Sequence, residues 1–185
     1  MIKVQITSEE KKRCFDFASL IINGGNQYNR FNKSLNVQIV RTYIGKLAEY
    51  VFLHFLHSKG VQYDEGDMFE IFEGQENADP HDFIMPNGKT VDIKTASLPF
   101  HSRIMVPMSQ FHLKKDFYVG IKLNFINTQD RSINPSKIND CILFGYIERS
   151  VLEQQPTKSF GEGPCKSYAL SDLKPISQLI EGFTP

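Results

Sequence analysis

The sequence predicts a mixed α/β domain with helices packed on a central sheet. Two amino-terminal segments repeat apolar residues at helical spacing. A central segment alternates every second residue about an Asn-Gly turn, and two long apolar strands follow it. At 185 residues the chain has the length of one domain, residues 1–185. A chain of that size buries roughly 70% of its unfolded surface and needs no metal or disulfide staple.

Thr7 and Glu10 have the spacing of a capping box, and Cys14, Phe17, Ala18, Ile21 and Ile22 follow on one face, with Gly24 and Gly25 as the stop. Residues 23–36 form a polar, Asn-rich loop that elaborates the domain. A second helix runs from about Asn36 to Lys59 on a stripe of Val40, Tyr43, Ile44, Leu47, Val51, Phe55 and Leu56, and Gly60 ends it. Glu49 falls at the margin of that stripe, where a carboxylate can look into a cleft between helix and sheet. Strands are expected at 68–72, 82–85 and 90–94, the last two joined by Pro86-Asn87-Gly88-Lys89 as a hairpin. Pro107 starts a short helix through Lys115. Strands at 117–125 and 141–148 flank a looping stretch at 126–140. Residues 153–167, rich in Gly and Pro, read as irregular, and a short strand and a helix marked by Ser171 and Pro175 close the chain.

An apolar fraction of 41% with 15 Phe and 7 Tyr excludes a disordered chain. Lys plus Arg equal Asp plus Glu at 21 each, so net charge does not mark a basic nucleic-acid binder. The layout is uneven, however: residues 1–60 carry nine basic and four acidic side chains, and residues 61–100 two and nine. Cys14, Cys141 and Cys165 are odd in number and widely spaced, which argues against a zinc or disulfide framework. With no apolar stretch after the first charges and no 18-residue apolar run, a soluble cytoplasmic protein that meets no membrane is expected. There is no GxSxG elbow. Gly161-Glu162-Gly163-Pro164 lacks the Lys and Ser/Thr of a phosphate loop, so no nucleotide cofactor is expected.

The chemistry concentrates in Thr90-Val91-Asp92-Ile93-Lys94. Period two turns Val91 and Ile93 one way and Asp92 and Lys94 the other. The hairpin folds Asp82 back beside Asp92, with Asp79 just upstream. Two carboxylates so close repel unless a cation sits between them, and a hard, oxygen-ligated ion such as Mg²⁺ answers that need, with the Ile93 backbone carbonyl as a further oxygen. Lys94 then stands where an attacking water and a developing charge need it. A pair of carboxylates, Glu49 with Asp92, also suits a glycosidase, but that leaves Lys94 without a role. A non-catalytic nucleic-acid-binding domain would use the charged pair for packing alone.

Glu49, Asp82, then Asp92-Ile93-Lys94 after a turn, and Met108-Ser109-Gln110 on a helix resemble the PD-(D/E)xK nuclease superfamily over residues 40–125, extending to 148. The resemblance implies a restriction-endonuclease-like core, a central mixed β-sheet flanked by helices in the order αβββαβ. It also implies Mg²⁺-dependent hydrolysis of DNA phosphodiester bonds, with Mn²⁺ as a substitute. Asp82 and Asp92 would hold the metal with the Ile93 carbonyl, Glu49 would act on it directly or through water, and Lys94 would be the catalytic lysine. Gln110 matches an accessory glutamine of some branches, and His81 would tune the site. One departure stands out: Asp82 follows His81, and the only Asp-Pro pair is Asp79-Pro80. Asp82 is preferred because it opens the strand.

Within that group a site-specific type II restriction endonuclease is the expectation, acting as a homodimer on double-stranded DNA. A structure-selective repair or recombination nuclease, of resolvase or exonuclease type, is the alternative. Tyr28, Arg30 and Lys33 on the polar loop, together with Arg41, are the candidate DNA contacts. His54 and His57 stand three apart on the second helix as ordinary surface residues. His101 and His112 carry no assignment.

Overall fold

Thr7 caps the first long helix as its spacing predicts: the Glu10 N–H donates to Thr7 Oγ1 at 3.2 Å and the Thr7 N–H donates to Glu10 Oε2 at 2.7 Å. The computed structural model describes residues 1–24, 34–69, 81–127, 129 and 133–183, without the side chains of residues 66 and 67. Its elements are β1 (Ile2–Gln5), α1 (Ser8–Asn23), α2 (Leu35–Ser58), β2 (Phe83–Ile84), β3 (Thr90–Ala96), β4 (Arg103–Pro107), α3 (Met108–Phe111), β5 (Phe117–Phe125), β6 (Ile138–Glu148), α4 (Arg149–Glu153), β7 (Lys158–Ser159), β8 (Pro164–Ala169) and α5 (Ile176–Ile180).

The protein is α/β, built on a mixed five-stranded sheet of order β1-β6-β5-β3-β2. β3 and β5 run parallel and the other neighbours antiparallel. Parallel strands need a crossover, and here β4 and α3 supply it. β4 leaves the main sheet to pair with β8, which also pairs with β7, making a second sheet of three strands.

Two cores lie on the two faces of the main sheet. On one, α1, α2 and α5 bury Cys14, Leu47, Phe52, Leu179 and Phe183 against Phe83, Val91, Ile93 and Val119. On the other, Ile104, Val106, Phe111, Leu152 and Leu170 cover Ala96, Tyr118 and Ile147. Burying a large apolar side chain is worth about 1.5–3 kcal/mol. The alternation along β3 therefore fixes its register: Val91 and Ile93 face the helices, and Asp92 and Lys94 face the second layer. Gly145 on β6 lets the Lys174 backbone approach, where Tyr146 and Lys174 exchange hydrogen bonds of 3.0 and 2.9 Å.

Several elements differ from the sequence expectation. Gly66–Phe69 is a 3-10 turn where a strand at 68–72 was expected; Phe69 serves there as an aromatic anchor against Phe17, 5.3 Å away, and beneath the Arg13 guanidinium at 4.1 Å. Residues 70–72 lie outside the described residues. The stretch at 153–167 is not irregular throughout: Lys158 pairs with Cys165 and Ser159 with Pro164 across a turn in which Gly161 and Gly163 have φ of +93° and +95°. The short helix after Pro107 ends at Phe111, and β6 starts at Ile138, inside the expected loop. No helix among the described residues is long and apolar enough to cross a membrane.

Candidate active site

The hairpin builds the first part of the site. Phe83 pairs with Val91 and Ile84 with Thr90. The turn is a three-residue loop, 86–88, closed by Met85 N–H to the Lys89 carbonyl at 2.8 Å, with Gly88 at φ +79°. β2 stops after two residues because Asp82 breaks from the ladder. Its N–H still donates to the Val91 carbonyl at 3.1 Å, while its side chain turns inward and Oδ2 accepts the Ile93 N–H at 2.6 Å. The Asp82 carboxylate thus replaces the next rung of the sheet. Because a strand residue points its N–H and C=O to the same edge, the Ile93 carbonyl faces this edge too, beyond the last β2 pair.

Asp92 and Lys94 lie on the face period two assigns them. Lys94 Nζ is 2.5 Å from Asp92 Oδ2 and donates to Gln110 Oε1 at 3.4 Å, so α3 does bring the glutamine to the lysine. Asp92 is buried, at 7% exposure, with Tyr118 as its β5 neighbour. Burial pushes the Tyr118 phenol up to about 12, so it stays protonated. Glu49 is half-buried on α2, and its Oε2 accepts from Lys46 Nζ at 2.6 Å, one turn away.

Electrostatics tie these groups into one cluster. Burial first, then the charges of Asp92 and Glu49, push the Asp82 carboxyl well above the ordinary carboxylate range; Lys94 and the Ile93 N–H pull the other way. Asp82 as a residue is partly exposed, but its carboxyl is turned among protein atoms, and the direction of that shift follows from the carboxyl's surroundings. Asp82, Asp92, Lys94 and Gln110 are therefore linked at the β3 edge, while Glu49 bears on Asp82 through its charge and has Lys46 as its ion-pair partner.

Other expected residues stand apart from this cluster or outside the described residues. Asp79, Tyr28, Arg30 and Lys33 fall outside them. His81 directly precedes Asp82 and is partly exposed. Arg41 lies two turns before Glu49 on α2 and forms an ion pair with Glu162 in the β7–β8 turn. His54 Nε2 lies 3.2 Å from Glu10, and His57 Nε2 lies 2.9 Å from the Tyr63 carbonyl. Burial raises the Cys14 thiol to about 12 and raises those of Cys141 and Cys165, which makes them poor nucleophiles.

Sequence reasoning missed Lys115. It is 4% exposed, and its Nζ lies 3.6 Å from Asp92 Oδ1, the carboxylate oxygen that Lys94 does not pair with. Only the pair Lys114-Lys115 before a predicted strand marked it, and such a pair ordinarily reads as a solvated turn.

Among the described residues, no group of three or more His, Cys, Asp or Glu side chains is arranged to hold a metal ion. The candidate donors at the β3 edge are hard oxygens: the two carboxylates Asp82 and Asp92 and the Ile93 backbone carbonyl, without Glu49 as a third carboxylate of one group. This suits Mg²⁺, which binds through one or two carboxylates and completes its shell with water and phosphate oxygens. Burial first, and then like charge, raise the Asp82 carboxyl, and a bound cation would relieve the like charge. Comparisons with protein-family models, with curated proteins and with solved structures return no match.

Proposed function

We propose that the protein is a Mg²⁺-dependent endonuclease that hydrolyses DNA phosphodiester bonds, with a restriction-endonuclease-like core. The observation that carries this proposal is the Asp82 carboxylate docked on the Ile93 N–H at 2.6 Å, beside the Asp92–Lys94 pair. That arrangement gathers two acids, a backbone carbonyl and an ammonium at one open strand edge. Asp82, Asp92 and the Ile93 carbonyl would hold the ion, with Glu49 acting directly or through water. When bound, Mg²⁺ supplies Lewis acidity toward a phosphate oxygen and a more acidic water. Lys94 turns its ammonium from Asp92 to the attacking water and the phosphate, where charge develops in the transition state. Gln110 accepts from that ammonium and restricts its swing. Asp82 stays fixed because the Ile93 N–H anchors one of its oxygens.

A glycosidase needs no such lysine. A non-catalytic nucleic-acid-binding domain has one observation in its favour: Glu49 and Asp92 each already carry a lysine partner. Dependence on metal separates the nuclease from both rivals. Within the nuclease class we favour a site-specific type II restriction enzyme, homodimeric on duplex DNA, over a structure-selective repair or recombination nuclease. Incubation with several long DNAs and Mg²⁺, followed by mapping of the ends, tests both levels. Ends at one short sequence support the restriction enzyme. Ends at junctions, flaps or termini support the alternative, and intact DNA throughout refutes the nuclease.

A further inference from the structure

Lys115 has no place in the machinery described so far, yet the fold goes to some length to bury it. Among the described residues other than glycine, only Lys114 has a positive φ, 50°, a conformation disfavoured for any residue with a Cβ. That left-handed step turns the chain so that Lys115 enters the site while Asp116 stays outside. The turn is then clamped at both ends. Asp116 Oδ2 accepts from the Thr90 N–H at 2.8 Å and from Thr90 Oγ1 at 2.9 Å, and the Asp116 N–H donates to Thr90 Oγ1 at 3.1 Å. Arg149 Nη1 donates to the Phe111 carbonyl at 2.6 Å, and the Arg149 N–H donates to the Asp116 carbonyl at 2.8 Å. Thr90 is two residues before Asp92 on β3, so these bonds fix the turn against the strand that carries Asp92.

Asp92 thus lies between two ammoniums, Lys94 on Oδ2 and Lys115 on Oδ1. Both are shielded from solvent, Lys115 more than Lys94, with side-chain exposures of 5% and 15%. A buried carboxylate stripped of its cation is costly, so with one lysine alone Lys94 would be held on Asp92. We infer that Lys115 is a positioning residue: it is the standing counter-ion of Asp92 and frees Lys94 to turn toward the scissile phosphate. The part played by Lys94 rests on the nuclease proposal; the sharing of Asp92 between two lysines does not.

The experiment measures thermal unfolding and single-turnover cleavage with Mg²⁺ for the parent, Lys94→Met, Lys115→Met, Lys115→Arg and the Lys94→Met/Lys115→Met double variant. Either single Met variant leaves Asp92 one cation, so the double variant should lose more melting temperature than the two singles together. Lys115→Met should slow cleavage about 10- to 100-fold at unchanged DNA affinity, the usual scale for a supporting residue. Lys115→Arg should recover most of that rate, and Lys115→Met should cost nothing further in the Lys94→Met background. Additive melting losses overturn the shared counter-ion, and so does parental cleavage by Lys115→Met in an active parent. A parent that never cuts, with coupled melting losses intact, refutes the nuclease proposal while supporting the assignment of Lys115 to Asp92.

Discussion

Asparagine at Asp92 and asparagine at Asp82 should shift stability in opposite directions, although the two acids share one site. Asp92 has ammoniums 2.5 and 3.6 Å from its two oxygens. At an effective dielectric constant of about 20 these correspond to about 7 and about 5 kcal/mol of gross attraction. Most of it is offset by desolvation, and breaking a buried pair from one side costs about 3–5 kcal/mol net. Lys94 can fall back on Gln110 and solvent, so Asp92→Asn belongs near the lower end, about 3 kcal/mol, or about 6–12 °C for a chain of this size. Asp82 carries the reverse balance: burial, Asp92 and Glu49 all oppose its charge. Asp82→Asn removes that charge and keeps an amide oxygen for the Ile93 N–H, so it should raise the melting temperature while abolishing activity. Thermal unfolding of both variants at pH 7, followed by circular dichroism, is the assay. An Asp92→Asn protein that melts with the parent, or an Asp82→Asn protein that melts below it, would refute this charge balance.

The pH dependence follows from the same carboxyl. Its folded value is raised, so the stability linked to its protonation is present below the ordinary value of 3.8 and is lost as pH rises through the raised value. The advantage of Asp82→Asn over the parent should therefore be absent near pH 3.5 and grow through that window; a constant difference between pH 3.5 and 8 would contradict the shift. Lys94→Ala should keep DNA binding and Mg²⁺ binding by calorimetry while losing most of the chemical step in single-turnover cleavage, and cutting at the parental rate would remove Lys94 from the mechanism. Gly145→Ala drives a methyl group into the Lys174 carbonyl and should cost about 1–3 kcal/mol in urea unfolding; a neutral result would mean that the segment shifts freely. Sedimentation with and without specific duplex should show a homodimer on DNA, and a monomer in both states that still cuts both strands would oppose the dimer.

Much of the site was legible because it is local. Thr7 and Glu10 stated the helix start, Asn87-Gly88 stated the turn, and alternation in Thr90–Lys94 stated which side chains face which layer. Glu49 was legible as a carboxylate at the margin of an apolar stripe. What escaped depends on partners far away in the chain. β4 spans five residues and pairs with β8 about sixty residues on, and β1 spans four residues against β6. Segments so short carry too little alternation to stand out before their partners are known. The β7–β8 hairpin was hidden by the glycines that make its turn. Lys115 was hidden for a different reason: it follows a residue with positive φ, Lys114, in a turn bonded to Thr90 and Arg149, and no spacing in the sequence records that.

The most direct test of the central claim is single-turnover cleavage by metal-stripped protein, with enzyme sites in excess of DNA and Mg²⁺ as the only variable. The parent should leave duplex DNA intact in chelator, cut it when Mg²⁺ or Mn²⁺ is restored, and fail to cut with Ca²⁺. Asp82→Asn should fail in all of these. Cleavage that survives chelator, or that Asp82→Asn retains with Mg²⁺, would contradict a metal-dependent nuclease centre at the β3 edge.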